Sequence, residues 1–211
     1  MYISWLGLNC FKIQSQNIVL ITDPFDPKTG LKLPRLQADI VTVSQKDSPE
    51  FNNMAKISGE SFLITGPGEY ERKQIHIQGI ADKLNGQPLQ PDFSTLYYFE
   101  VEDIGIGHLG SINHPLTNEQ LEVFEGTDIL LVPIGGKPAL TAEKAAEVIS
   151  QIEPRIVIPM YYKIPGLKIP LNPLDKFLQV MGIKSPEILP KYKIQKRDLP
   201  QEETEIIILQ A

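Results

Sequence analysis

Cysteine is nearly absent. Cys10 stands alone in 211 residues, which excludes an internal disulfide and any zinc site built from several thiolates. Long apolar runs are missing too. None approaches the roughly 20 residues that a spanning helix needs. The opening Met1-Tyr2-Ile3-Ser4-Trp5 sets no basic residue ahead of an apolar stretch, as a secretory signal would. These absences lead us to expect a soluble, cytoplasmic protein with no membrane partner. Basic residues are the minority charge, 20 Lys and Arg against 26 Asp and Glu, for a net charge of −6 and a pI near 5.2. A net anion is repelled by a polyanion, so no nucleic-acid partner is expected. The rest of the composition, 42% hydrophobic and 22% charged, is ordinary for a globular chain. The length suits one domain over residues 1–211, long enough to bury a core. Eighteen prolines and fifteen glycines imply short elements joined by stiff connections.

The first third reads as strands. Tyr2–Leu6, Cys10–Ile13 and Ile18–Ile21 are rich in β-branched and aromatic residues, and Gly7-Leu8-Asn9 and Ser15-Gln16-Asn17 between them are turn-like, which predicts an antiparallel meander. Ala38–Val43 is a nearly continuous apolar run of the kind a central strand covered on both faces requires. Further strands are predicted at Ser61–Ile64, Ile75–Ile80, Thr95–Val101, Gly105–Gly107, Asp128–Val132, Arg155–Ile158 and Glu205–Leu209. Helices carry start signals. Thr117 with Gln120 forms a capping box, Thr141 precedes Ala145, Val148, Ile149 and Ile152 at helical spacing, and Asn172-Pro173 opens a stripe of Leu174, Phe177, Leu178 and Met181. A short fourth helix is predicted from Ser48-Pro49-Glu50. A meander followed by strands alternating with helices suits two sheets with helices outside them.

In layered α/β folds the chemistry gathers on loops leaving strand ends. Four such loops stand out: Ser44–Glu50, Gly66-Pro67-Gly68-Glu69-Tyr70, His108-Leu109-Gly110-Ser111 and Pro159-Met160-Tyr161-Tyr162. In that order, together with Ile3–Gly7, Thr22-Asp23-Pro24-Phe25, Ala38-Asp39-Ile40, Asp128–Gly136 and Ile152–Met160, they resemble the metallo-β-lactamase superfamily, in particular its branch of small intracellular hydrolases similar to ascorbate-6-phosphate lactonase. The resemblance implies an α/β fold, a four-layer αβ/βα sandwich of two mixed sheets with outer helices, and a site along one edge of both sheets. It also implies ligand positions, and here those positions hold other residues. Gln45, Asp47, Pro49 and Glu50 match the His-x-His-x-Asp-His loop, Ser111 matches a bridging aspartate and Tyr161 a histidine, while His108 alone keeps the family residue. An amide, a proline and a phenol are poor zinc donors. A dizinc centre is therefore not expected, and Asp47, Glu50 and His108 would hold at most a weakly bound, harder divalent ion.

These readings leave three functions open. The first is a pseudoenzyme that keeps the fold and acts as a binding or scaffold subunit for a small molecule or a protein. The second is a hydrolase of a small ester, lactone or phosphorylated metabolite with a rearranged site, Asp47 or Glu50 acting as base, His108 as ligand or acid and Tyr161 as oxyanion donor. The third is a homo-oligomeric structural module. Plainer roles compete for the same residues. His108 can bond a backbone carbonyl, Asp47 and Glu50 can form an acidic helix start, and His76 can sit on a strand surface. His114 can serve in a turn, and the glycines at 66, 68, 135 and 136 can make turns rather than an anion cradle. The basic run Lys191–Arg197 reads as a solvated edge strand and Cys10 as a buried, inert thiol.

Overall fold

The computed structural model describes residues 1–16, 18–48, 50–84, 87–88 and 94–211. The expected meander forms. β1 (Tyr2–Gly7), β2 (Cys10–Ser15) and β3 (Ile18–Thr22) pair antiparallel in sequence, with Ile3 and Trp5 buried on alternate positions of β1 and Phe11 and Ile13 on β2. β4 (Ile40–Thr42) and β5 (Phe62–Ile64) continue the sheet in parallel, and β12 (Tyr192–Lys193) closes its other side against β1. The order is β12-β1-β2-β3-β4-β5. The second sheet runs β13-β11-β10-β9-β8-β7-β6. It contains β6 (Gly68–Arg72), β7 (Ile75–Ala81), β8 (Thr95–Val101), β9 (Ile104–His108), β10 (Ile129–Pro133), β11 (Ile156–Met160) and β13 (Glu205–Ile206). Strands β6 to β9 pair antiparallel and β9, β10, β11 and β13 parallel, so both sheets are mixed.

Three helices follow their start signals: α1 (Asn118–Val123), α2 (Ala142–Ile152) and α3 (Leu174–Val180). The Thr117 hydroxyl accepts from Gln120 N–H while the Gln120 side chain accepts from Thr117 N–H, the reciprocal capping box. α3 begins after Pro173 with no side-chain cap, so Asn172 does not play the expected part. Its amide side chain lies beside Gly136 instead. α1 contacts β7, α2 contacts β10 and α3 lies against α2. Among the described residues no helix is long and apolar enough to cross a membrane.

Four expectations need correction. The Gly66–Tyr70 stretch was expected to be a loop, but from Gly68 onward it is strand β6, because pairing with β7 (Gly68 opposite Gly79, Tyr70 opposite Ile77) imposes extension on a polar sequence. The helix expected at Ser48–Glu50 is a turn: Phe51 and Asn52 N–H both bond the Ser48 carbonyl, and Asn53 N–H is drawn off to Pro24. Pro49, like Asn17 in the first turn region, lies outside the described residues. β4 is next to the edge rather than central, although all three of its residues are buried. Glu205–Leu209 divides, its first half pairing with β11 and Ile208–Leu209 with Ile188–Leu189.

The two sheets are tied together at one end. Tyr97 donates its hydroxyl to the Val43 carbonyl (3.0 Å), and Thr95 N–H bonds Ser44 O (2.8 Å). His108 Nε2 bonds Asn9 O (2.9 Å) and Tyr161 N–H bonds Leu8 O (3.1 Å). Parallel strands β3, β4, β9, β10 and β11 all finish there, which is where such sheets place their sites.

Candidate functional site

A cavity of about 310 Å³ opens at that end. Gln45, Glu50, Ser111 and Tyr161 line it, so the structure brings together four of the seven ligand positions matched in the sequence, Pro49 lying outside the described residues. Asp47 is not in the lining and is exposed on its turn. His108 is fully buried and is also outside the lining. Tyr161 follows β11 in a left-handed conformation (φ 53°) that turns the chain back over the strand end. Its hydroxyl donates to Glu50 Oε2 at 2.9 Å, and its ring stacks on Phe51 at 6.1 Å between centroids. Burial and the adjacent Glu50 carboxylate both push the phenol well above its ordinary range.

The lining also holds Asp82, Ser94 and Asn113, none of which the sequence reading singled out. Asp82 directly follows β7 and Ser94 directly precedes β8, their backbones joined by Asp82 N–H to Ser94 O at 2.7 Å. Asp82 Oδ1 accepts from His114 Nε2 at 2.8 Å, and Nδ1 of the same ring faces the Pro115 carbonyl at 2.7 Å. Both ring nitrogens of His114 thus face oxygen atoms, an arrangement that favours the protonated ring. The Asp82 bond is the main cause holding its pKa up. His114 therefore does more than shape a turn; it pairs with the buried Asp82 side chain at 2.8 Å.

A fourth residue not singled out as a site residue, Asp23, is fully buried after β3. Its Oδ1 accepts from Ser44 N–H (2.6 Å) and its Oδ2 from Ser44 Oγ (2.8 Å). Desolvation outweighs those two bonds and pushes its carboxyl up to about 7. A signal for it was present, an acid directly after the apolar strand Ile18–Thr22 and before a proline. His108 Nε2 is 3.8 Å from Asp23 Oδ2 but is engaged by Asn9 O, as its plainer reading expected, across 99 residues of chain. Burial drops its pKa to about 4, leaving a neutral ring whose Nδ1 meets no hydrogen-bond partner among the described residues. Cys10 is buried as expected, its thiol pushed up by burial and by Asp23.

This donor set does not fit a pair of divalent metal ions. Gln45 offers an amide, Ser111 a hydroxyl and Tyr161 a phenol that keeps its proton. Asp47 is exposed outside the lining, and the Nε2 of His108 is spent on a carbonyl, which leaves the carboxylates of Glu50 and Asp82 with no imidazole in the lining among the described residues. Among the described residues no three His, Cys, Asp or Glu side chains converge in a metal-holding arrangement. A zinc centre needs several imidazoles and carboxylates around an open position.

Two mixed sheets sandwiched in an α/β fold, with a cavity where the parallel strands of both end, define the metallo-β-lactamase class of proteins. The chain belongs to the beta-lactamase superfamily, whose domain model matches residues 2–161. A solved structure from Thermotoga maritima, a candidate Zn-dependent hydrolase of the metallo-beta-lactamase superfamily, is 30% identical, superposes with a TM-score of 0.80 and covers 99% of this chain and 98% of that one. A UPF0173 metal-dependent hydrolase of Thermoplasma acidophilum is 27% identical over 190 residues, 76% of this chain and 82% of its own. A UPF0173 protein of Pyrococcus abyssi is 26% identical over 188 residues, 79% of this chain and 85% of its own.

Proposed function

We propose that this chain is a non-catalytic member of the superfamily, a binding or scaffold subunit in which the dizinc centre has been replaced by a polar cavity. The observation that carries this reading is the fate of the ligand positions: Gln45, Ser111 and Tyr161 bring an amide, a hydroxyl and a phenol, donors unsuited to zinc, into one cavity beside the Glu50 carboxylate. The relatives named metal-dependent hydrolases make the opposite reading concrete, so metal content is the test. Protein purified without added zinc, analysed by plasma mass spectrometry and then titrated with zinc, is expected to hold far less than one ion per chain. Two tightly held ions per chain would overturn the proposal.

The hydrolase of a small ester, lactone or phosphorylated metabolite with a rearranged site is less well supported. Of its two proposed bases, Asp47 lies outside the cavity and Glu50 already accepts the Tyr161 hydroxyl; His108, its ligand or acid, is buried and neutral, and its oxyanion donor Tyr161 has that hydroxyl committed to Glu50. A base must reach the proton it removes.

A further inference from the structure

The proposed binding role leaves the occupant of the cavity open, and the lining narrows it. Ser94 is only 7% exposed, yet its hydroxyl meets no hydrogen-bond partner among the described residues. It lines the cavity close to Gly110, on which a Cβ would lie 3.5 Å from Ser94 Oγ and 3.3 Å from Ser44 Oγ. A buried hydroxyl left unpaired is costly, so this one is set for a partner that enters from the cavity. The charges point to the sign of that partner. Asp82 is paired with His114, but Glu50 makes no ion pair among the described residues and receives only the Tyr161 hydroxyl. Among the described residues no lysine or arginine is in the lining. Lys137 and Lys144 belong to the neighbouring cavity, which shares Asn113 and Pro138, and Lys144 is tied to the Asn113 carbonyl at 3.0 Å. The stacked rings of Phe51 and Tyr161 stand beside Glu50, and aromatic faces attract cations.

We infer that the cavity is a binding site for a small organic ammonium compound carrying hydroxyl groups. Glu50 is the counter-ion of the ammonium group, and Ser94, Ser111 and Asn113 exchange hydrogen bonds with the hydroxyls. Its volume lies at the lower end of small-ligand sites, which suits a single sugar-sized molecule. An anionic ligand would meet uncompensated Glu50 with no cation to receive it. This rests on the binding role proposed above.

One carbon frame can present all three charges. Titration of the full chain by calorimetry with glucosamine, glucose and glucose 6-phosphate is expected to show glucosamine bound at least tenfold more tightly than glucose, and no binding of glucose 6-phosphate. Ethanolamine, the same pairing of ammonium and hydroxyl on a shorter frame, is expected to bind more weakly than glucosamine. Glu50→Gln, which keeps the shape and the acceptor for Tyr161, is expected to remove the preference for glucosamine, and Ser94→Ala to weaken it severalfold. Circular dichroism would establish that both variants are folded. Equal binding of glucose and glucosamine, preference for the phosphate, binding of neither amine, or a preference that survives Glu50→Gln would each overturn the inference. Zinc content measured on the same samples separates the two claims. A zinc pair would sink the non-catalytic reading, whereas zinc-free protein that prefers the phosphate would sink only the ligand class.

Discussion

Asp23→Asn is expected to make the protein more stable at pH 8 than the parent and to take away much of its loss of stability on raising the pH. The folded carboxyl holds its proton up to about pH 7, while the unfolded one releases it near 3.8. Between those values the native state binds more protons than the unfolded state, so Asp23 makes folding less favourable as pH rises through the window. Across that whole window the lost stability amounts to about 4 kcal/mol. Asparagine carries no titration, so the difference between variant and parent should grow in the variant's favour by about 3–4 kcal/mol from pH 4 to pH 8. The altered bonding to Ser44 adds only a pH-independent offset. His108 acts in the other direction: its folded pKa of about 4 lies below the ordinary 6.5, so its contribution is lost as pH falls through that range. Over pH 4 to 6.5 the two slopes oppose each other, and the parent's own profile is flatter than either alone. Urea unfolding of both proteins at five or six pH values reads the difference directly. A difference curve that stays flat from pH 4 to 8 would mean that Asp23 is not the desolvated acid described.

How far the sequence announces all this depends on how local each cause is. β8 was legible over its full length, Thr95–Val101, because alternation and β-branched residues reside in the strand itself, and α1 and α2 were legible from Thr117 and Thr141 because a cap is a three-residue device. β6 was not, since its extension comes from β7 rather than from Gly-Glu-Tyr-Glu-Arg. The same division runs through the cavity. Gln45, Glu50, Ser111 and Tyr161 were found because each follows a strand end and their order resembles a known family. Asp82, Ser94 and Asn113 belong to no pattern of their own, and they reach the cavity only because β7 and β8 pair and the loop after β9 folds back over them. His114 was underestimated for the same reason: its carboxylate partner is 32 residues away. Asp47 was overestimated, because spacing within a loop does not reveal which side chains face inward.

Gly135→Ala is expected to destabilise the fold by about 2–4 kcal/mol through steric overlap. The residue follows β10, and a Cβ built there falls on the carbonyl oxygen of Tyr161, well inside contact distance, with Leu171 Cβ 3.1 Å away on another side. Neither neighbour is free to retreat. Tyr161 N–H is fastened to Leu8 O at 3.1 Å, and its left-handed backbone is held by the strand behind it. The Gly135 carbonyl receives Asn172 N–H at 2.8 Å, and Asn172 O in turn receives Lys163 N–H at 2.9 Å. Gly135 is not one of the left-handed glycines, so the cost is one of space rather than of backbone strain. In a chain of 211 residues that cost corresponds to a fall in Tm of about 5–15 °C. Gly66→Ala is the matched control, since nothing lies within 4 Å of its added Cβ, and its Tm is expected to stay within about 2 °C of the parent. The consequence reaches the cavity as well. Room for a methyl group at 135 can be made only by moving the Tyr161 backbone, and that carries the phenol away from Glu50. The glycine that looked like a turn residue, or part of an anion cradle, is instead the space that lets Tyr161 stand where it does. Equal melting of Gly135→Ala and Gly66→Ala would show that the loops after β10 and β11 do not pack in this way.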